Sequence, residues 1–277
     1  MGIVGVLHPG AMGGFIASTI SSDHEGAWVS AGRSTATRDR ASGLTGFDSL
    51  AELAAVAEAI VSICPPGHAL DVASEVAATG FTGLYLDANA VSPTTMSSVA
   101  EVLAGAQVVD GAVIGGPSTG SARFYVAGPD AAAAIALFDP AKLTVHLLPG
   151  PVGAASALKA SYALTSKAHS ALLFTARAAA RASGVEDALL AEWDRTQPDL
   201  RASVDRGAAT IGRKAWRFVD EMREAADYLD SVGVPSGFST AAADTFARLA
   251  DLPRDTDVDP AVTFDAINGT GTPAKAD

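Results

Sequence analysis

The stretch "GVLHPGAMGG", residues 5–14, decides how the rest of the chain is read. It follows a short apolar start, Met1 to Val4, and precedes "FIASTI" (15–20), which has the character of a helix. Glycines between a strand and a helix permit a tight turn, and the N–H groups at the helix start then attract an anion such as a pyrophosphate. The dinucleotide fingerprint is Gly-x-Gly-x-x-Gly. Gly10 and Gly13 match its second and third glycines, whereas His8 stands at the first. Gly10 would let the backbone approach a pyrophosphate, and Gly13 would let helix and strand pack closely. Pro9 fixes its own φ and pushes His8 toward extended geometry, so the turn is made tight by another route. The same residues would also serve a plain strand-to-helix turn.

Outward from this loop the first half alternates. Apolar strand-like runs occur at 3–7, 27–32, 59–64, 83–89, 107–113, 122–128 and 143–148. Helix-like runs lie at 12–22, 48–59, 68–79, 93–105 and 130–140. Strands alternating with helices over short links predict a mostly parallel α/β sheet. The character changes at "PGPVG" (149–153): from Ala154 to Ser183 there is no Pro or Gly. An unbroken helix of that length would run about 45 Å and form a connecting spine. Further helical patterns lie at 185–195, 198–230 and 239–250, and the tail 269–277 reads as disordered. The expected fold is α/β: a Rossmann-type parallel sheet in an N-domain, 1–150, then an all-α C-domain, 151–277, with a long interdomain helix.

Composition narrows the function. The chain has 277 residues, 48% hydrophobic but only 6% aromatic, so its core is built from Ala, Val, Leu and Ile, which suits parallel sheets. A formal charge of −12 disfavours nucleic acid as a partner. Cys64 is the single cysteine, which rules out an intramolecular disulfide. The five histidines show no ligand spacing, so no metal site is expected. "MGIVGVL" has the look of a first strand rather than a signal peptide, and no apolar run is long enough to span a bilayer. The expectation is a cytoplasmic protein acting on a small molecule.

Two further features point to chemistry. An NAD-binding fold usually carries an acid at the end of its second strand, to bond the ribose 2′-hydroxyl. Here "SAGRSTATRDR" (30–40) has none at that end, and Gly32, Arg33, Ser34, Thr37 and Arg38 follow instead. An arginine fork grips a phosphate, which predicts NADP (NADPH) over NAD; the alternative is that these arginines belong to a solvated helix start. On the spine, Ser156, Lys159, Tyr162, Ala163 and Ser166 fall near one face. Lys159 sits among small and apolar neighbours, where burial would lower its pKa and suit it to proton transfer. The plainer alternative is a lysine that snorkels to solvent.

Four segments in this order resemble the motifs of the β-hydroxyacid dehydrogenase superfamily, which includes 3-hydroxyisobutyrate and 6-phosphogluconate dehydrogenases. "HPGAMG" (8–13) is similar to its glycine loop, "LDANAVSP" (86–93) to its Asp-x-Ser-Thr-x-Ser-Pro segment, "VDGAVIGG" (109–116) to its substrate motif, and "GAASALK" (153–159) to its Gly-x-Gly-x-x-x-Lys. The resemblance runs from residue 3 to about residue 250. It implies that His8, Pro9, Gly10, Ala11, Met12 and Gly13 form the pyrophosphate loop. Gly32, Arg33, Ser34 and Arg38 would surround the 2′-phosphate. Cys64, Pro65 and Pro66 would line the cofactor, and Asn89 would stand beside the nicotinamide ribose. Ile114, Gly115 and Gly116 would border the substrate, with Lys159 as the catalytic acid/base and Tyr162 beside it at the same site. A homodimer through the helical domain is implied as well.

The departures are specific. Ile114 replaces a serine that helps hold a substrate carboxylate, Tyr162 and Ala163 replace an Asn pair, and Asp220 and Glu221 stand near the family's later Lys-Asp pair. The reading is therefore an NADP-dependent oxidoreductase acting on a carbonyl or hydroxyl carbon. The alternatives are an imine reductase-like enzyme, or an NADP-binding sensor or scaffold without turnover.

Overall fold

The computed structural model describes residues 1–116 and 122–269. The tail expected to be disordered lies, from residue 270 on, outside the described residues. The chain divides into two compact units, Met1–Ala160 and Ser161–Asp277.

The first unit is built on one eight-stranded sheet. Its strands are β1 (Gly2–Leu7), β2 (His24–Val29), β3 (Thr45–Phe47), β4 (Ala57–Ser62), β5 (Leu84–Asp87), β6 (Gln107–Ile114), β7 (Arg123–Ala127) and β8 (Thr144–Leu147). Their spatial order is β3-β2-β1-β4-β5-β6-β7-β8. Strands β1 to β6 are mutually parallel; β7 runs antiparallel to β6, and β8 parallel to β7. The chain leaves β1 toward one edge and returns to β4 on the other side. In open sheets of this kind ligands bind at such a reversal, beyond the carboxyl ends of the strands.

Side chains alternate across the sheet, so each buried strand feeds two cores. Val4, Val6, Val61, Leu86 and Val109 join Ile16 of α1 (Ala11–Ser18) and Ala131 and Ala134 of α6 (Ala131–Ile135). On the opposite face Leu7, Ile60, Tyr85 and Val108 meet Leu53 of α3 (Leu50–Val56), Val72 and Val76 of α4 (Ala69–Ala78), and Met96 and Val99 of α5 (Pro93–Val102).

Element limits differ from expectation where pairing outweighs local preference. The helix expected over 48–59 ends at Val56, because Ala57 and Ala59 pair with β1 and β5. Strand β3 and the short α2 (Thr35–Arg40) were not expected; they fill the link between β2 and α3.

From residue 154 the backbone stays helical to residue 182, as α7 (Ala154–Ala163), a π-helical segment (Leu164–Ala168) and α8 (His169–Ala182). The second unit continues with α9 (Glu186–Thr196), α10 (Leu200–Thr210), α11 (Ala215–Ser231), α12 (Gly237–Ala247) and α13 (Pro260–Asn268). The single helix expected over 198–230 is broken by a 3₁₀ turn, Ile211–Arg213, where a side chain at Gly212 would collide with the Pro253 carbonyl. Buried Arg177 organises this unit: it pairs with Glu186 at 2.8 Å and with Asp205, and lies 4.4 Å from the Phe264 ring centroid. Arg181 ties Glu186 and Asp265 at 3.0 and 2.7 Å. No helix among the described residues is long and apolar enough to cross a membrane.

Candidate functional site

Five of the six parallel strands deliver a sequence-predicted site segment at their carboxyl ends. The first is the β1–α1 turn. His8 takes φ 59, in the left-handed region, rather than the extended geometry expected before Pro9. The strand must turn sharply to start α1, and the Gly10 N–H closes the turn on the His8 carbonyl at 2.6 Å. A histidine thus adopts the conformation that a fingerprint glycine takes without steric cost. A Cβ at Gly13 would come within 2.8 Å of the His8 carbonyl and 2.9 Å of the Ile63 side chain, so Gly13 serves close packing. At Gly10, by contrast, the nearest atom to an added Cβ is 3.9 Å away; the protein leaves that space open. Ala11 is exposed, while Met12 turns inward against the core. The His8 Nδ1 is buried without a hydrogen-bond partner. Burial first, then the charges of Arg33 and His68, push the ring down to about 4.

At the end of β2, Gly32 has φ 69 and turns the chain into α2. Ser34 caps that helix, accepting from the Thr37 N–H at 3.3 Å. Arg38 donates to the Arg33 carbonyl at 3.2 Å, so Ser34 and Arg38 shape the loop that carries Arg33. Arg40, which the sequence reading passed over, reaches the glycine loop itself, donating to the Pro9 carbonyl at 3.4 Å.

The ends of β4 and β5 are laced together by Asn89. Its Oδ1 accepts from the Cys64 N–H at 2.6 Å, and its Nδ2 donates to Asp87 at 2.9 Å and Ser62 at 3.2 Å. Both amide hydrogens are engaged inside the protein. Asn89 therefore sets the backbone at Cys64, ahead of the 3₁₀ turn Pro66–His68 that follows Pro65. Burial and the nearby Asp87 push the Cys64 thiol up to about 12, so it stays a neutral thiol.

At β6, Ile114 is buried and Gly115 turns the chain with φ 88; Gly116 follows just before residues outside the description. Lys159 on α7 does not snorkel outward. It is half-buried and its Nζ donates to the Val113 carbonyl, one residue before the end of β6. Asp110, on the same strand, holds the helix that carries it. Its carboxylate accepts from the Gly153 N–H at 2.9 Å, the Ser156 N–H at 3.0 Å and the Ser156 hydroxyl at 2.7 Å. Burial raises its pKa, against the pull of those bonds. The signal was available: a carboxylate in the middle of an apolar strand requires partners.

Tyr162 falls in the second unit and is 42% exposed. Glu221 is joined to Lys167 of the π segment at 2.9 Å. Among the described residues no group of three His, Cys, Asp or Glu side chains is placed to hold a metal ion.

The family described as "Domain of unknown function (DUF1932)" matches residues 180–249. No curated protein matches the chain. Solved structures do. The conserved protein MTH1747, of unknown function and structurally similar to 3-hydroxyacid dehydrogenases, is 27% identical over 90% of this chain and 97% of that one, with a TM-score of 0.65. Mycobacterium tuberculosis 3-hydroxyisobutyrate dehydrogenase, solved with L-serine, is 18% identical, with 97% and 99% of the chains covered and a TM-score of 0.70. Psf3 in complex with NADP+ and 2-OPP is 18% identical over 96% and 99%, with a TM-score of 0.63. A Streptomyces aurantiacus imine reductase is 20% identical over 96% and 98%, with a TM-score of 0.51. The likeness spans nearly the whole chain, and the fold is that of the 3-hydroxyacid dehydrogenases.

Proposed function

We propose, from the hydroxyacid-dehydrogenase fold and the residues at its strand ends, that this chain is an NADP-dependent oxidoreductase acting on a carbonyl or hydroxyl carbon. The observation that carries the reading is the convergence of an open glycine loop, a β2 end without an acid but with Arg33, and Lys159 bonded at the end of β6.

The residues present fit a dinucleotide. The space left at Gly10 and the N–H groups of α1 suit a pyrophosphate. Arg33, Arg38 and Arg40 have no ion-pair partner among the described residues, so their charge is free for a 2′-phosphate. Cys64 and Pro65, fixed by Asn89, supply an apolar wall. The nicotinamide, when bound, supplies or accepts the hydride. Lys159 gives a proton to the substrate oxygen as negative charge develops there, or takes it in the reverse direction. Its bond to the Val113 carbonyl holds the ammonium in place, and Asp110 holds the helix.

Binding of NADPH and NADH to the purified chain, followed by nicotinamide fluorescence, tests the reading. NADPH should bind more tightly. Arg33→Ala should weaken NADPH by about tenfold, the loss of one charge-assisted phosphate contact, and leave NADH nearly unchanged. Equal wild-type affinities for the two would sink the NADP assignment; binding of neither would sink the whole reading.

A further inference from the structure

The turn after β1 withholds backbone donors. Pro9 has no N–H, and the Gly10 N–H is spent inside the turn on the His8 carbonyl at 2.6 Å. A glycine loop that meets a phosphate ordinarily does so with such N–H groups. This chain instead places a side chain at the corner. His8, at φ 59, stands where the fingerprint has a glycine and no side chain at all.

The two ring nitrogens of His8 have different surroundings. Nδ1 is buried and has no hydrogen-bond partner. A proton there would leave an N–H in a dry place without an acceptor, so Nδ1 keeps its lone pair and the proton sits on Nε2. Nε2 is not buried, and it makes no hydrogen bond with the described residues, so its N–H is open to a ligand. The charges that bear on the ring are Arg33, beyond β2, and His68, in the 3₁₀ turn beyond β4. Arg40 of α2 donates to the neighbouring Pro9 carbonyl, and Cys64 at the end of β4 is a neutral thiol. None of these groups favours a second proton, and burial opposes one, so the ring is uncharged at neutral pH.

We propose that His8 is a coenzyme-binding residue whose neutral imidazole donates, through Nε2–H, to a phosphate oxygen of the dinucleotide, in place of the backbone donors that Pro9 and Gly10 withhold. The inference rests on the proposed NADP reading for the identity of the ligand, and goes beyond it in giving the missing fingerprint glycine a chemical replacement. It carries an inversion: His8→Gly brings the loop closer to the fingerprint and makes it bind less well.

Two measurements test this. In the full chain labelled with nitrogen-15 histidine, the ring shifts of His8 at pH 7 should be those of the Nε2–H tautomer, and the Nε2 signal should move on addition of NADPH. An Nδ1–H tautomer, a doubly protonated ring or an unmoved signal would each overturn the proposal, with no variant needed. Calorimetric titration supplies the second. His8→Gly keeps the left-handed turn without steric cost, and its urea midpoint at pH 7 should stay near wild type. Its NADPH affinity should nevertheless fall about tenfold, the loss of one hydrogen bond to a charged oxygen. ADP, which carries the diphosphate alone, and adenosine 2′-phosphate then separate the two sources of phosphate: the probe whose affinity falls in His8→Gly identifies the one that His8 meets. Equal affinities in wild type and His8→Gly for all three probes would overturn the role of His8 while leaving the NADP reading intact. A wild-type chain that bound none of them would end that reading, and this inference with it.

Discussion

His8 holds a left-handed backbone at the turn where the dinucleotide fingerprint has its first glycine, with its ring pressed into a partly dry place beside Arg33 and His68. Its pKa is about 4 in the folded chain, against an ordinary 6.5. Between those values the unfolded chain binds more protons, so stability rises with pH across the window and is lost as pH falls through it. The urea midpoint should therefore drop between pH 6.5 and pH 5. His8→Asn should flatten that drop, since asparagine tolerates positive φ and does not titrate; an unchanged slope would remove His8 from the account. Lys159 carries the second prediction at this scale. Lys159→Met should lower turnover 10²- to 10⁴-fold, roughly the contribution of a general acid, while NADPH affinity and the urea midpoint stay near wild type. Wild-type turnover would make the bond to Val113 purely structural. The strand-end residues were legible because glycine, proline and arginine have few other reasons to cluster there. Asn89 was named for the cofactor site and Asp110 quoted within a motif, yet Cys64 and Ser62, which Asn89 meets, and Ser156, which Asp110 meets, are distant in sequence, and such pairing is invisible along one chain.

Helix α7 depends on a carboxylate from another element. Asp110→Ala would strand two N–H groups and a hydroxyl in a buried place, at a cost of about 3 kcal/mol for groups of this kind. Urea unfolding should report that loss; a change below about 1 kcal/mol would show that water reaches the helix start. Helix α13 illustrates what was readable and missed. Asp259 accepts from the Ala261 N–H at 2.8 Å, Pro260 opens the helix and Gly269 closes it with φ 71. All three signals stand in the sequence. Elsewhere local signals were overruled: "AEA" at 57–59 has helical character, but a place between β1 and β5 makes it strand.

At the scale of the molecule, the order of strands and helices was readable from periodicity, and the reversal of β7 was not, because antiparallel and parallel pairing look alike in an isolated run of apolar residues. The helical unit leaves Phe238, Leu172 and Val232 more than half exposed. Large exposed apolar side chains are common where a second copy docks, and we expect a homodimer formed through residues 154–250. Sedimentation at micromolar concentration should give twice the chain mass; a monomer there would refute the dimer. The π-helical segment bears on the lineage of the whole protein. Its i+5 bonding accommodates one residue more than an α-turn would. A descendant that lost a single codon between Tyr162 and His169 could close the stretch as plain α-helix, its backbone bonds remade rather than broken. Insertions and deletions are tolerated chiefly in surface loops, yet here one can be absorbed in the middle of a helix, and kindred chains can differ by a residue at this point while every later helix keeps its place.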